Sequence, residues 1–151
     1  MLMGGGAVSG AEMHGDVLIA RRHVATGPGR VWAAFVSPAG IAAFWGGSHA
    51  TVPAGSVVVE LRPGGEFALD TRAASGVTRR LRFVYVSIAE PHELVFDEPA
   101  TGIRTTVTIG AAAGGGADVM IHQCRLPVEL RTRQAADGLA SILDALAVHL
   151  E

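Results

Sequence analysis

The chain has 151 residues, 49% of them hydrophobic and 17% charged, with a formal net charge of −2. That length suits one domain with one hydrophobic core, and that balance excludes an intrinsically disordered chain. The slight negative charge leaves no basic footprint for nucleic acid, and no apolar run approaches the roughly 20 residues that span a bilayer.

Residues 1–13 are rich in Gly, Ala and Ser and lack periodicity. They are expected to be a disordered leader without the basic start and apolar core of a signal peptide, and Met13 offers a second start. From residue 14 to 151 the pattern predicts a single domain. Asp16 to Val24 is β-branched and predicts a first strand, broken at Thr26-Gly27-Pro28-Gly29. Arg30 to Val36 reads as a short helix ended by Ser37-Pro38. Ala39 to Trp45 reads as a second, stopped at Gly46-Gly47. Strands are then predicted at Val57 to Leu61, Glu66 to Thr71, Val77 to Ile88, Glu93 to Asp97, Thr101 to Ala111 and Asp118 to Leu126. Tight turns such as Arg62-Pro63-Gly64-Gly65 and Gly114-Gly115-Gly116 separate them, the pattern of an antiparallel meander. In the last segment, Pro127 to Glu151, the period changes. Leu139, Ile142, Leu143, Leu146 and Leu150 make one stripe of an amphipathic helix, with Gly138 inside it. About 20 helical residues would run roughly 30 Å, enough to cross a sheet. A close approach of backbone to the sheet is one reason to keep Gly138 there. The order predicts an α+β chain: a strongly curved antiparallel sheet of six to seven strands wraps a long C-terminal helix, and two short helices close one end.

The residues that carry chemistry are sparse. The histidines His14, His23, His49, His92, His122 and His149 show no His-x-x-x-His spacing and no Cys/His cluster, so no metal and no cofactor is expected. His122, in the apolar run VMIHQC, faces either a cavity or solvent, and Gln123 takes the opposite face. Neither a Gly-x-Ser-x-Gly elbow nor a phosphate-cradling loop is present. Cys124 is the single cysteine, so no internal disulfide can form, which fits a reducing, cytoplasmic setting. Lysine and asparagine are absent, a bias typical of a GC-rich bacterial coding sequence. Arg79, Arg80, Arg82 and Arg104 lie on predicted strands. They are either solvated, pairing across strands with Glu66, Asp70, Glu93 and Asp97, or, for Arg82, placed at a cavity mouth to meet an anionic ligand group.

Several short motifs, in order, resemble one family. They are Val24 to Trp32 (VATGPGRVW), Ser37-Pro38 with Phe44-Trp45-Gly46, Leu61 to Phe67 (LRPGGEF), Glu90 to Phe96 (EPHELVF), and Gly138 to Leu150. Together they resemble the activator-of-heat-shock-protein-90-ATPase-like group of the SRPBCC (START, polyketide cyclase, birch-allergen-like) superfamily, over about residues 16 to 150. The resemblance implies a helix-grip fold with a cavity between the sheet and the last helix. It also implies three kinds of function. The first is binding of a hydrophobic or amphipathic small molecule. The second is a chaperone-activator-like protein-interaction module. The third is a cyclase- or hydrolase-like enzyme using His122 and Asp97 as acid and base. In that frame Trp32, Phe35, Phe44, Trp45, Phe67, Leu69, Arg82, Val84, Asp97, His122, Leu139, Ile142, Leu143 and Leu146 are the expected ligand-binding residues, and no catalytic residue is assigned. Phe44, Glu93 and Leu139 depart from the family's usual Trp, Arg and Trp. Leu139 in place of an indole predicts a roomy cavity bounded by Trp32, Phe44, Trp45, Phe67 and Leu69. The expected partners are an apolar small molecule or a protein, with no nucleic acid and no membrane, and the chain is expected to be a monomer or homodimer.

Overall fold

The computed structural model describes residues 10–151. The strands are β1 Gly10–His14, β2 Val17–Val24, β3 Ala50–Thr51, β4 Val58–Val59, β5 Glu66–Ala73, β6 Thr78–Ala89, β7 Glu93–Asp97, β8 Arg104–Ala111 and β9 Ala117–Cys124. Two short helices, α1 Pro28–Val36 and α2 Pro38–Phe44, follow β2, and α3 Arg133–His149 comes last. All the strands join one antiparallel sheet in the order β1-β2-β9-β8-β7-β6-β5-β3, with β4 pairing β5 off that path. The sheet is curved around the terminal helix, which is the helix-grip arrangement expected from the sequence. Among the described residues, no helix is long and apolar enough to cross a membrane.

Period-2 alternation decides what the sheet buries. On β6, Leu81, Phe83 and Tyr85 point to the concave side, opposite Leu69 and Phe67 of β5 and Phe96 of β7. On β8 and β9 the concave positions are Thr105, Val107 and Ile109, facing Gln123, Ile121 and Val119. β2 continues that face with Leu18, Ala20, Arg22 and Val24. The helix α3 covers it. Thr132 caps the helix by accepting from the Ala135 amide at 3.1 Å. Leu139, Leu143, Leu146 and Leu150 are buried beneath it. Burying a leucine as fully as Leu143 contributes roughly 1.5–3 kcal/mol. Arg22 donates to Asp144 at 3.0 Å, and the Thr26 hydroxyl donates to the Leu150 carbonyl at 2.9 Å, pinning the helix to β2 and to the turn before α1. Ser37 ends α1 and caps α2 by accepting from the Gly40 amide at 3.1 Å.

The structure differs from the sequence reading in several places, among them the strand expected from Thr101, which begins only at Arg104. The expected leader is cut short by β1: residues 10–13 pair with β2, and Ala11 and Met13 pack against the core. Residues 1–9 of that leader lie outside the described residues. The edge strands β3 and β4 are two residues each and too short to show a period. The terminal helix begins at Arg133 because Pro127 opens a single 3-10 turn at Val128–Leu130 before the Thr132 cap. Gly138 does not mark the close approach. A Cβ there would meet nothing nearer than His49 Cδ2 at 4.0 Å. The tight contact is Gly47, at φ +60°, where a Cβ would collide with Ser141 Oγ of α3. The neighbouring Ser48 amide donates to that same hydroxyl at 3.2 Å.

Two outcomes test this arrangement by thermal melting. A chain beginning at Asp16 should melt several degrees below one beginning at Gly10, since each 1 kcal/mol lost lowers Tm by roughly 2–8 °C in domains near this size. Gly138→Ala should stabilise by up to about 1 kcal/mol, as an alanine does in an open helix position. Gly47→Ala should instead cost more than about 1 kcal/mol, because both its backbone angle and its space are wrong for a side chain.

Candidate functional site

The concave side is divided in two. One part is filled by rings: Phe35, Phe44, Trp45, Phe67, Phe83, Tyr85 and Phe96. Phe35 meets Phe44 edge-on at 5.0 Å, Phe67 stacks on Phe83 at 5.0 Å, and Trp45 touches Phe67, Phe83 and Phe96 at 5.4–6.3 Å. Such edge-to-face and offset pairs pack tightly and exclude solvent. Trp32 is 4% exposed and Leu69, Leu143 and Leu146 at most 1%, so they belong to the same packed core.

The other part stays open. A cavity of about 320 Å³ lies between the sheet and α3. Its inner wall is apolar: Trp45, Leu81, Phe83 and Ile121, with Leu139 and Ile142 of α3 opposite and Leu130 at the edge. Its polar lining comes from four places. Thr71 and Arg79, facing each other across β5 and β6, form one side. Glu98 and Thr101 come from the turn between β7 and β8. Thr105 and Gln123 face each other across β8 and β9, and the Gln123 amide lies 3.3 Å from the Thr105 hydroxyl. The Thr101 hydroxyl donates to Glu98 at 2.8 Å and accepts from the Ile103 amide at 3.2 Å, which holds the turn against the cavity.

Of the residues expected to bind ligand, Trp45, Leu139 and Ile142 line this cavity. Trp32, Phe35, Phe44, Phe67, Leu69, Leu143 and Leu146 stand behind it in the core. Arg82, Val84, Asp97 and His122 are corrections: all four lie on the convex face, one strand position out of phase with the cavity. Arg82 and Val84 flank the inward Phe83, Asp97 follows the inward Phe96, and His122 sits between the inward Ile121 and Gln123. The volume left near Leu139 is bounded by Phe83 and Leu81, not by Trp32, Phe44, Phe67 and Leu69, which are buried in the packed core. The inward residues Arg79, Phe83, Thr105 and Gln123 were the ones to find. The signal was parity: the aromatics Phe83 and Tyr85 mark the buried face of β6, and Arg79 shares it.

The convex face is a ladder of ion pairs. Asp97 accepts two bonds from Arg104, at 2.7 and 2.9 Å, and this pairing holds its carboxyl below the usual carboxylate range. Arg80 meets Asp70 at 3.2 Å and Arg82 approaches Glu66 at 3.6 Å. A larger, more open depression of about 420 Å³ surrounds Gly110 on this face, but its acid, Asp118, already holds His23 at 3.1 Å. Among the described residues no cluster of three or more metal-ligating side chains occurs.

Tyr85 stands apart. It is 1% exposed, and its phenol oxygen has no hydrogen-bond partner. Burial pushes its pKa well above the ordinary value. In the unfolded chain the phenol ionises from about pH 10. Stability is therefore unaffected below that pH and falls as pH rises above it, where only the unfolded state loses the proton readily. Tyr85 is the one tyrosine of the chain, so phenolate absorbance reads it directly. That absorbance should appear together with unfolding and not before. Tyr85→Phe should be neutral, or stabilising by about 1 kcal/mol, at neutral pH and should flatten the alkaline loss in melting curves.

The sequence model of the family described as "Activator of Hsp90 ATPase homolog 1-like protein" matches residues 25–151. No curated protein matches the chain in sequence. Three solved structures illustrate the likeness in fold. A protein from Rhodobacter sphaeroides is 23% identical with a TM-score of 0.78, covering 93% of this chain and 97% of its own. One from Chromobacterium violaceum is 22% identical with a TM-score of 0.79, covering 88% and 96%. An AHSA1-like protein from Aeromonas hydrophila is 20% identical with a TM-score of 0.76, covering 89% and 91%. At these identities the likeness shows the fold.

Proposed function

The chain belongs to the Activator of Hsp90 ATPase homolog 1-like family, and from that premise we propose that it binds a small amphipathic molecule in the cavity between its sheet and α3. One observation carries the reading: about 320 Å³ of space whose deep wall is aromatic and aliphatic and whose rim is polar. Ligand sites are typically concave, mostly apolar clefts of about 300–1,000 Å³ with a few placed polar groups, and this one stands at the small end. The free thiol of Cys124 is consistent with action in a reducing cytoplasm. A cyclase- or hydrolase-like reaction through His122 and Asp97 has less support, since neither reaches the cavity and Asp97 is held by Arg104. The interaction-module reading also has less support. The exposed large apolar side chains Val58, Leu61, Val77, Val84, Val86, Val128, Leu130 and Val148 are distributed over β4 and the loop after it, the β5–β6 turn, β6, the 3-10 turn and α3.

Native mass spectrometry of the purified protein should show a co-purified small molecule, and an uncharged fluorescent apolar probe should bind with one-to-one stoichiometry. Leu139→Trp should put a ring into the cavity and weaken the probe at least tenfold while keeping the melting temperature within a few degrees. A loss well above the roughly 1–3 kcal/mol typical of overpacking would instead mark the position as packed core and sink the reading. Asp97→Asn and His122→Ala should leave probe affinity unchanged.

A further inference from the structure

We infer that the molecule taken by this cavity is an apolar monocarboxylate whose carboxylate is held at the rim by Arg79, a proposal that rests on the small-molecule reading above. The charges on the sheet carry it. Three of the other arginines on these strands are neutralised in place, Arg80 by Asp70, Arg82 by Glu66 and Arg104 by Asp97, while Arg72, on the convex face of β5, donates to the Thr78 hydroxyl and lies away from the cavity. Arg79 is not. Its parity turns it to the concave side, where its cross-strand neighbour is Thr71 rather than an acid. Among the described residues no carboxylate lies within ion-pairing distance of it. An unpaired guanidinium beside a free hydroxyl, at the lip of an apolar cavity, supplies donors that fit a carboxylate in a planar fork. The aliphatic or aromatic body then lies between Trp45 and Leu139, with the Thr105 and Gln123 pair below it.

Glu98 narrows the class. It lines the same cavity, forms no ion pair among the described residues, and its carboxylate accepts from the Thr101 hydroxyl alone. A carboxylate in this position repels a dianion more than a monoanion, so phosphate esters are disfavoured and monocarboxylic acids accepted. Because Arg79 is exposed, its attraction is partly screened and must weaken with salt.

The experiment compares naphthoate, naphthamide and naphthyl phosphate by calorimetry, on the full chain and on Arg79→Gln and Glu98→Gln. These share an apolar body and differ in charge. Naphthoate should bind the unaltered protein roughly five- to tenfold more tightly than the neutral amide, the scale of one charge-assisted contact at a partly exposed site. That preference should shrink as salt is added. Arg79→Gln should abolish it by weakening naphthoate severalfold more than naphthamide, and Glu98→Gln should selectively strengthen the phosphate. Equal binding of acid and amide by the unaltered protein, or a preference that survives Arg79→Gln, would overturn the carboxylate assignment and leave the cavity reading standing. If no probe binds, charged or neutral, the cavity reading falls and this assignment with it.

Discussion

The structure depends on how one helix covers one curved face. A nine-stranded antiparallel sheet cannot leave its concave side wet when that side carries Leu18, Leu69, Phe83, Tyr85, Phe96, Val107 and Ile121. The helix α3, 17 residues and so about 25 Å long, lies over it with Leu139, Leu143, Leu146 and Leu150 directed inward. The Thr132 cap, the Arg22–Asp144 contact and the bond from Thr26 to Leu150 fix where the helix starts, lies and ends. Close approach of the Gly46-Gly47 turn to Ser141 brings the end of α2, and with it Trp45, to the same helix. Once those contacts are made, the rest of the interior has little freedom.

What remains is a division of the interior between rings and space. Aromatic side chains from the short helices and from β5, β6 and β7 close-pack at one end, and Trp45 is the boundary. On its far side the β7–β8 turn and the 3-10 turn stand off from the sheet, and the volume between them and α3 is left open. The cavity follows from where the large side chains are, because the interior has no spare ring to fill it. Leu139, smaller than an indole, is part of its wall. The phenol of Tyr85 is buried in the ring cluster without a partner, a cost that the surrounding packing offsets.

Electrostatics separates the two faces of the sheet. On the convex side, direct or diagonal cross-strand neighbours bring each of Arg80, Arg82 and Arg104 to an acid. These pairs are solvent-exposed, so each contributes on the order of 1 kcal/mol or less, and their main effect is to neutralise these three arginines in place. On the concave side the same strand holds Arg79 against a threonine and a cavity. One position of parity along β6 thus separates a neutralised surface arginine from a cation available to a ligand.

The order of elements could be read from the chain, because periodicity is a local property: alternation at Phe67, Leu69 and Thr71, a helical stripe from Leu139 to Leu150, and Pro-Gly turns between them. The family resemblance came from the same local motifs. The strand β1 was hidden because a Gly- and Ala-rich segment shows no alternation, and only pairing with β2 gives it a place. The candidate site was legible in part. Trp45, Leu139 and Ile142 are visible as apolar residues of helical segments, while for His122, Asp97, Arg82 and Val84 the pattern leaves the face open, and they fall on the convex side. A strand's pattern says that two faces exist, but in β6 and β9 polar and apolar residues fall on both. Which face turns inward is set by hydrogen-bond register with neighbours far along the chain, such as Phe83 with Phe67 and Gln123 with Thr105. The amino-acid order determined the elements and their succession. The long-range register and the seat of α3 decided which residues meet at the cavity, since only packing across the whole sheet chooses between faces one residue apart.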